Sequence, residues 1–313
     1  MRIFVAGATG AIGRRLVPRL VESGYEVVAL VRSKEKGSAV AAAGATPAVA
    51  DPLHRGQLLD AVATARPDVV LHELTALSGM GDLKRIDKDF VLTNRFRTET
   101  TDLLLEAALA AGARRFIAQS FCGWPFARRG GPVKTEEDPL DPEPPPRFLA
   151  ILEAIRYLEK AVRNTRDIEA LALRYGPLYG PGTSIAKDGA IVDAVRKRKL
   201  PLVGNGAGIW SFVHVDDVAA ATTAAVSRGA PGIYNVVDDD PAPVSEWLPA
   251  LAAAVGAPKP KRVPAWLAKF AIGEGGVSMM TRIRGGSNAK AKRELRWEPI
   301  WPTWRTGFTE GLD

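Results

Sequence analysis

Ile3-Phe4-Val5-Ala6, running straight into Gly7-Ala8-Thr9-Gly10-Ala11-Ile12-Gly13, is the stretch that decides how this chain folds. The four apolar residues read as a buried strand, and Ile12 to Val21 reads as an amphipathic helix opening directly after the glycines. Gly7 permits a tight turn, Gly10 lets the backbone approach a pyrophosphate, and Gly13 lets helix and strand pack closely. Exposed N–H groups at the helix start, with the helix dipole behind them, receive phosphates. Strand, glycine turn and helix in this order predict a dinucleotide cradle built from Gly7, Thr9, Gly10, Ala11, Ile12 and Gly13.

Outward from the cradle, apolar runs alternate with helical periods. Strands are expected at 2–6, 26–31, 46–50, 68–72, 114–119 and 168–174, with helices at 12–23, 53–65, 89–111 and 147–164. Such alternation implies right-handed crossovers and an α/β fold, a Rossmann-type doubly wound parallel sheet. The Ala-rich segment Thr100 to Ala111, closed by Gly112, marks a helix end. After Arg174 the pattern loosens into short strands at 210–215 and 232–236 and helices near 188–199, 216–227, 244–255 and 288–295. Residues 1–174 therefore read as the dinucleotide-binding domain. Residues 175–313 read mainly as a smaller, interleaved substrate lobe, with parts of about 205–236 returning to the main sheet. Between Trp124 and Arg147 seven prolines and two adjacent glycines exclude a regular element. This is a long loop after a strand's carboxyl end, where ligands sit in open α/β sheets.

Composition narrows the function classes. Hydrophobic content of 46% with 25% charged residues reads as soluble and globular. No stretch reaches the ~18 to 20 apolar residues of a membrane span. Met1 leads directly into the first strand, leaving no room for a signal peptide, and a single cysteine, Cys122, excludes an intramolecular disulfide or a cysteine-based zinc cluster. A cytoplasmic setting is the expectation. The net charge of +7 includes two basic runs, 196–199 and 259–262, which read as solvated faces, and nothing resembles a nucleic-acid module. His54, His72 and His214 show no metal-ligand spacing. A small-molecule substrate is expected, with neither nucleic acid, membrane nor metal as partner.

The second strand selects the cofactor. Glu26 to Val31 ends in Arg32-Ser33-Lys34, where NAD-type sites place a carboxylate for the ribose 2′-hydroxyl. A guanidinium there grips a 2′-phosphate through paired charge-assisted hydrogen bonds, which favours NADP over NAD. Asp51, ending the third strand, either addresses the adenine or serves as an ordinary loop aspartate.

Further motifs follow in order: Asp68-Val69-Val70-Leu71-His72 with Leu74-Thr75-Ala76; Asn94 opening the long helix; and Arg114 to Ser120. Then come Leu173 to Gly182, Ser211 to Ala219, Tyr234-Asn235-Val236, and Asn288 to Trp297 with Pro299. With the glycine turn, they make the chain resemble the extended short-chain dehydrogenase/reductase superfamily, in its NAD-dependent epimerase/dehydratase-like branch. The resemblance covers nearly the whole length. It implies that Leu74, Thr75, Ala76, Gln119, Tyr175, Gly176, Pro177 and Leu178 border the cofactor. It also implies a homodimer, for which 89–111 and 147–164 would supply a four-helix interface.

The family's chemistry uses a tyrosine and a lysine four residues later, helped by a Ser or Thr hydroxyl after the fifth strand; the lysine holds the nicotinamide ribose and the tyrosine exchanges the proton. Here the pattern breaks. With the family's helix glutamate on Glu159, the tyrosine and lysine positions fall on Ile151 and Ile155, and the hydroxyl position on Ser120 or Phe121. Tyr157 and Lys160 share that helix at a spacing of three. At ~100° per residue Tyr157 is turned roughly 240° from position 151, away from the cofactor. Ser120, Tyr157 and Lys160 are the catalytic candidates, with Arg147 one turn before Ile151 as a substrate-polarising group. Cys122 and Trp124 are expected at the site's border, Tyr179 packed in its turn, and His72 buried beside the cofactor. His214 would be structural and Asp217 would cap the following helix. Trp297, Trp301 and Trp304 would line an aromatic pocket or pack the C-terminal tail. The expected function is that of an NADP-dependent oxidoreductase or epimerase with a non-standard proton relay. The alternative is a non-redox protein on the same scaffold, an NADP sensor or an isomerase or hydrolase using the pocket.

Overall fold

Val5, Val28, Val70 and Ile117 belong to short apolar runs that a parallel sheet buries on both faces. In a computed structural model, which describes residues 1–77 and 85–313, these runs become β1 (Arg2–Ala6), β2 (Glu26–Val31), β3 (Thr46–Val49), β4 (Val69–His72) and β5 (Arg115–Phe121). β6 (Glu169–Tyr175) and β7 (Gly232–Val236) complete a parallel sheet with the order β3-β2-β1-β4-β5-β6-β7 among the described residues. The chain reverses direction across the sheet between β1 and β4, so the carboxyl ends of those strands open a crevice suited to ligands.

Two helical layers cover the sheet. Leu16, Val17 and Leu20 of the helix Gly13–Glu22 pack with Val218 and Ala219 of the helix Val215–Ala225 on one face. On the other face Leu58 and Val62, Leu104 and Ala108, and Leu158 and Val162 bury the apolar stripes of three further helices, Arg55–Ala65, Thr101–Ala110 and Leu149–Asn164. The C-terminal lobe has its own core of Trp210, Phe212, Trp247, Trp304 and Phe308. No described helix is long and apolar enough to cross a membrane.

Three features differ from the sequence reading. The helix expected at 89–111 is interrupted: Val91–Arg95 and Thr101–Ala110 are α-helical, but Phe96–Thr100 is a π turn. The His72 ring bonds the Phe96 carbonyl there at 3.0 Å, an acceptor that an ordinary ladder would occupy. Of the segment around 205–236, the strand Gly232–Val236 joins the main sheet, whereas Ile209–Trp210 pairs with Ala242–Pro243 and Val213–His214 with Leu178–Tyr179. Finally, the proline-rich loop, expected to hold no regular element, contains a short strand. Val133–Lys134 pairs with Gly285–Gly286, and Asp141 holds Arg128 at 2.7 Å.

Candidate cofactor and substrate site

The cradle at the end of β1 tolerates no side chain at two of its glycines. Gly7 has φ +108°, and a Cβ there would lie 2.5 Å from the Glu73 carbonyl; a Cβ on Gly13 would lie 2.3 Å from the Gly7 carbonyl oxygen. Gly10 is different: it is exposed, and its Cβ would meet only the Gly7 oxygen at 3.4 Å. Its missing side chain keeps the turn open to an approaching group rather than relieving a clash inside the protein. Gly10 N–H donates to the Gly7 oxygen and Arg14 N–H to the Gly10 oxygen. The first helix has no side-chain N-cap and no acidic residue in its first turn, so its positive end is uncompensated by protein. A pyrophosphate fits this arrangement, and the residues suit a dinucleotide.

Arg32 is exposed at the end of β2, where a 2′-phosphate would be met. Asp51 Oδ1 accepts from Leu53 N–H at 2.9 Å, an Asx turn that shapes the loop after β3. Past β4, Ala76 N–H donates to Thr93 Oγ1 at 3.0 Å, fixing the Leu74-Thr75-Ala76 segment along the crevice. His72 is buried; its Nδ1 faces Leu74 N–H and its Nε2 the Phe96 carbonyl, and burial lowers its pKa to about 4, so the ring is neutral.

Glu73, missed by sequence reading, is the least expected group here. It is 4% exposed, lies under Gly7, and takes a hydrogen bond from the Tyr175 hydroxyl at 2.9 Å, which also contacts Thr222 Oγ1 at 2.7 Å. Burial raises its pKa to about 8, against the smaller lowering effect of Tyr175, and its Oε2 has no partner. Glu73 is therefore a neutral acid at pH 7 in this fold. Gln119 follows in register on β5, since His72 pairs with Ala118, and its Oε1 is likewise buried and unpaired. The sole signal in the sequence was an acidic residue closing an otherwise apolar strand. Tyr175 is thus tied to the crevice from below, and Gly176 is needed because a Cβ would lie 2.2 Å from the Ser211 carbonyl oxygen. Pro177 and Leu178 follow, held to Val213 through the Pro177 carbonyl and the Leu178 pairing.

The catalytic candidates do not come together. Ser120 is buried and donates to Glu159 Oε1 at 2.8 Å; Glu159 in turn binds Arg174 through two 2.7 Å contacts, a buried pair joining β5, β6 and the helix Leu149–Asn164. Tyr157 lies on the opposite side of that helix, 43% exposed, with its hydroxyl on Asp102 of the neighbouring helix. Lys160 is exposed on the same outer side. Arg147 is also exposed and pairs with Asp87 at 3.2 Å. Facing inward instead, Ile151 and Ile155 pack with Ile86, Phe90 and Phe148, and Leu77, Phe121 and Trp124 close the group. Leu77 and Phe121 follow β4 and end β5, so an apolar wall stands at the carboxyl ends of both strands.

The remaining candidates are structural. Cys122 is fully buried against Gly286, and burial pushes its thiol up to about 12. The Tyr179 ring packs edge-on against His214 and Phe308. His214, rather than Asp217, caps the helix Val215–Ala225, its Nδ1 facing Asp216 N–H; Asp217 instead accepts the Ile300 and Trp301 amides at 2.6 and 2.9 Å. Trp297 and Trp304 are buried in packing and Trp301 stacks beside His214, so these rings anchor the tail.

A family model described as the NAD dependent epimerase/dehydratase family matches residues 3–236. The chain belongs to that family. Among curated relatives, the 3-diazoavenalumate denitrifying reductase of a Streptomyces species is 45% identical over 309 residues, covering 98% of this chain and 99% of the relative. UDP-glucose 4-epimerase of Mycolicibacterium smegmatis is 27% identical, with 96% and 94% of the two chains covered. The solved UDP-glucose 4-epimerase of Thermotoga maritima superposes with a TM-score of 0.77 at 22% identity, over 100% of this chain and 97% of that one; these two share the fold. As a member of the epimerase/dehydratase family the protein is an enzyme of the nicotinamide-dependent oxidoreductase and epimerase class.

Proposed function

We propose that this protein is an NADP-dependent reductase that replaces a diazo group on a small aromatic molecule by hydrogen. The carrying observation is the inward pair Ile151 and Ile155, set in an apolar wall with Phe90, Phe148 and Trp124. Epimerisation and ketone reduction move a proton to or from a substrate oxygen, which calls for a positioned acid or base. Among the described residues the wall holds none. A nicotinamide supplies hydride when bound, and replacing a diazo nitrogen pair by hydride forms a C–H bond while dinitrogen leaves with the electron pair of the broken C–N bond. No group of the protein has to hold or accept a proton for that exchange, so aliphatic side chains are compatible with it. The name of the 45% identical relative, a reductase acting on a diazo compound, supports the same reading.

The protein's own part is binding, orientation and exclusion of water. The Gly7–Gly13 turn and the uncapped helix start would hold the diphosphate, and exposed Arg32 would hold the 2′-phosphate. Neutral Glu73 keeps negative charge away from the underside of the cradle. The partly exposed rings of Phe121 and Trp124, their centroids 6.2 Å apart, would give an aromatic substrate apolar contact, with buried Phe148 edge-on behind Trp124 at 4.9 Å. The test is to mix the protein with NADPH deuterated at the transferable position and 4-diazoniobenzoate. Cofactor oxidation, dinitrogen release and deuterium at the former diazo carbon are expected. Turnover of UDP-glucose or simple ketones, with the diazo compound left untouched, overturns the assignment.

A further inference from the structure

Arg97 sits in the π turn Phe96–Thr100 and is 3% exposed. Each of the other two deeply buried arginines has a carboxylate partner. Arg115 binds Glu169 and the carbonyls of Ala225, Arg228 and Gly229, and Arg174 binds both oxygens of Glu159. Arg97 has no such partner among the described residues. Among the described residues no carboxylate lies within ion-pair distance of it, and its Nη1 makes no hydrogen bond there. Glu159, the carboxylate whose field reaches it, already has both oxygens occupied by Arg174 and Ser120. The guanidinium instead lies 5.6 Å over the Phe90 ring, and Phe90 packs directly with Ile151 and Ile155. One turn earlier, Asn94 leaves its buried Oδ1 unpaired as well.

A buried, unpaired guanidinium is strongly unfavourable unless something neutralises it. Burial lowers its pKa only to about 10, so it stays charged at neutral pH. The π turn, wider than an α turn, is held open by His72 on the Phe96 carbonyl and by Thr101 Oγ1 on the Arg97 carbonyl at 2.9 Å. This fixes Arg97 between the carboxyl end of β4 and the helix Leu149–Asn164, at the edge of the apolar wall.

From this placement we infer that Arg97 is the anion anchor of the substrate pocket, binding a carboxylate of the substrate while the aromatic wall receives its planar body. It rests on the preceding reading only in requiring that the pocket take a small planar molecule. A guanidinium offers two parallel N–H donors, which match a carboxylate and leave a neutral amide poorly matched.

The test uses binding rather than turnover. Cinnamate and cinnamamide are titrated by calorimetry into the protein saturated with NADP, for wild type, R97K and R97M. Wild type is expected to prefer cinnamate over cinnamamide by about tenfold or more, from charge-assisted hydrogen bonds. R97M is expected to lose that preference while its NADP affinity stays unchanged, and R97K to retain part of the preference. Equal affinity of wild type for the two probes overturns the proposal without any variant. An R97M protein that weakens NADP as much as cinnamate overturns it too, because Arg97 then serves the cofactor. Absence of diazo turnover with the cinnamate preference intact would refute the reaction and leave the anchor standing.

Discussion

Replacing Glu73 by glutamine isolates the effect of a single buried proton on stability. Glu73 holds its proton up to about pH 8 in the folded protein, because burial disfavours the carboxylate, whereas in the unfolded chain it ionises near the ordinary 4.5. Between those values the unfolded state has released a proton that the folded state keeps. Stability conferred by this group is therefore complete below about pH 4.5 and is lost as pH rises through 8. The slope is ~1.4 kcal/mol per pH unit, or about 4 kcal/mol between pH 5 and 8 as an upper estimate. Glutamine has the same shape, can still accept from the Tyr175 hydroxyl, and cannot ionise. E73Q should thus match wild type at pH 5 and exceed it progressively towards pH 8, with the gap constant above. Urea unfolding at half-unit pH steps measures this difference directly. His72, whose folded pKa is lowered to about 4, removes stability on the acid side as pH falls below its usual 6.5, and this contribution cancels between the two proteins. Parallel stability curves for wild type and E73Q from pH 5 to 8 would refute a buried neutral Glu73.

Further variants have expected outcomes. R32A should weaken NADPH by about tenfold to a hundredfold, the loss of charge-assisted hydrogen bonds, and leave NADH binding nearly unchanged, as read by fluorescence titration. G10A should fold with a normal melting temperature yet bind dinucleotide at least about tenfold more weakly, since its Cβ enters the phosphate's approach. G13A, whose Cβ would lie 2.3 Å from the Gly7 oxygen, should lose stability by about 1–3 kcal/mol or more, so thermal melts separate the two glycine roles. E159A leaves Arg174 buried and unpaired and should cost about 3–5 kcal/mol, whereas S120A removes one hydrogen bond and should cost about 1–2 kcal/mol with kcat within a few fold of wild type. A hundredfold fall in kcat for S120A at unchanged stability would return Ser120 to the reacting centre.

Much of the architecture was legible because its signals are local. Ile3 to Gly13 encode a strand, a turn and a helix in one uninterrupted run, and the strand–helix alternation after it implies a parallel sheet covered on both faces. The helix Lys34–Ala42 escaped because Ala-rich sequence with an internal Gly37 shows no apolar stripe, and Gly37 is used instead for close packing on Pro47. The helix Ala265–Thr281 escaped for a related reason: it bends at Gly273 and leaves Trp266 and Phe270 exposed, so no single face repeats. The site was harder to read. Tyr157 and Lys160 attracted notice by residue type, but helix rotation directs Tyr157 to Asp102.

By itself, the order of residues determined the glycine turn and the strand–helix alternation. These depend on neighbours within a turn or two of chain. Only the tertiary structure decided that Glu73 is buried where its pKa is raised, that Ser120 belongs to the Glu159–Arg174 pair, and that Arg97 stands beside the wall with no counter-charge among the described residues. Each of those properties depends on burial and on which distant groups share a low-dielectric space, and a side chain acquires both only when strands and helices far apart in sequence close around it.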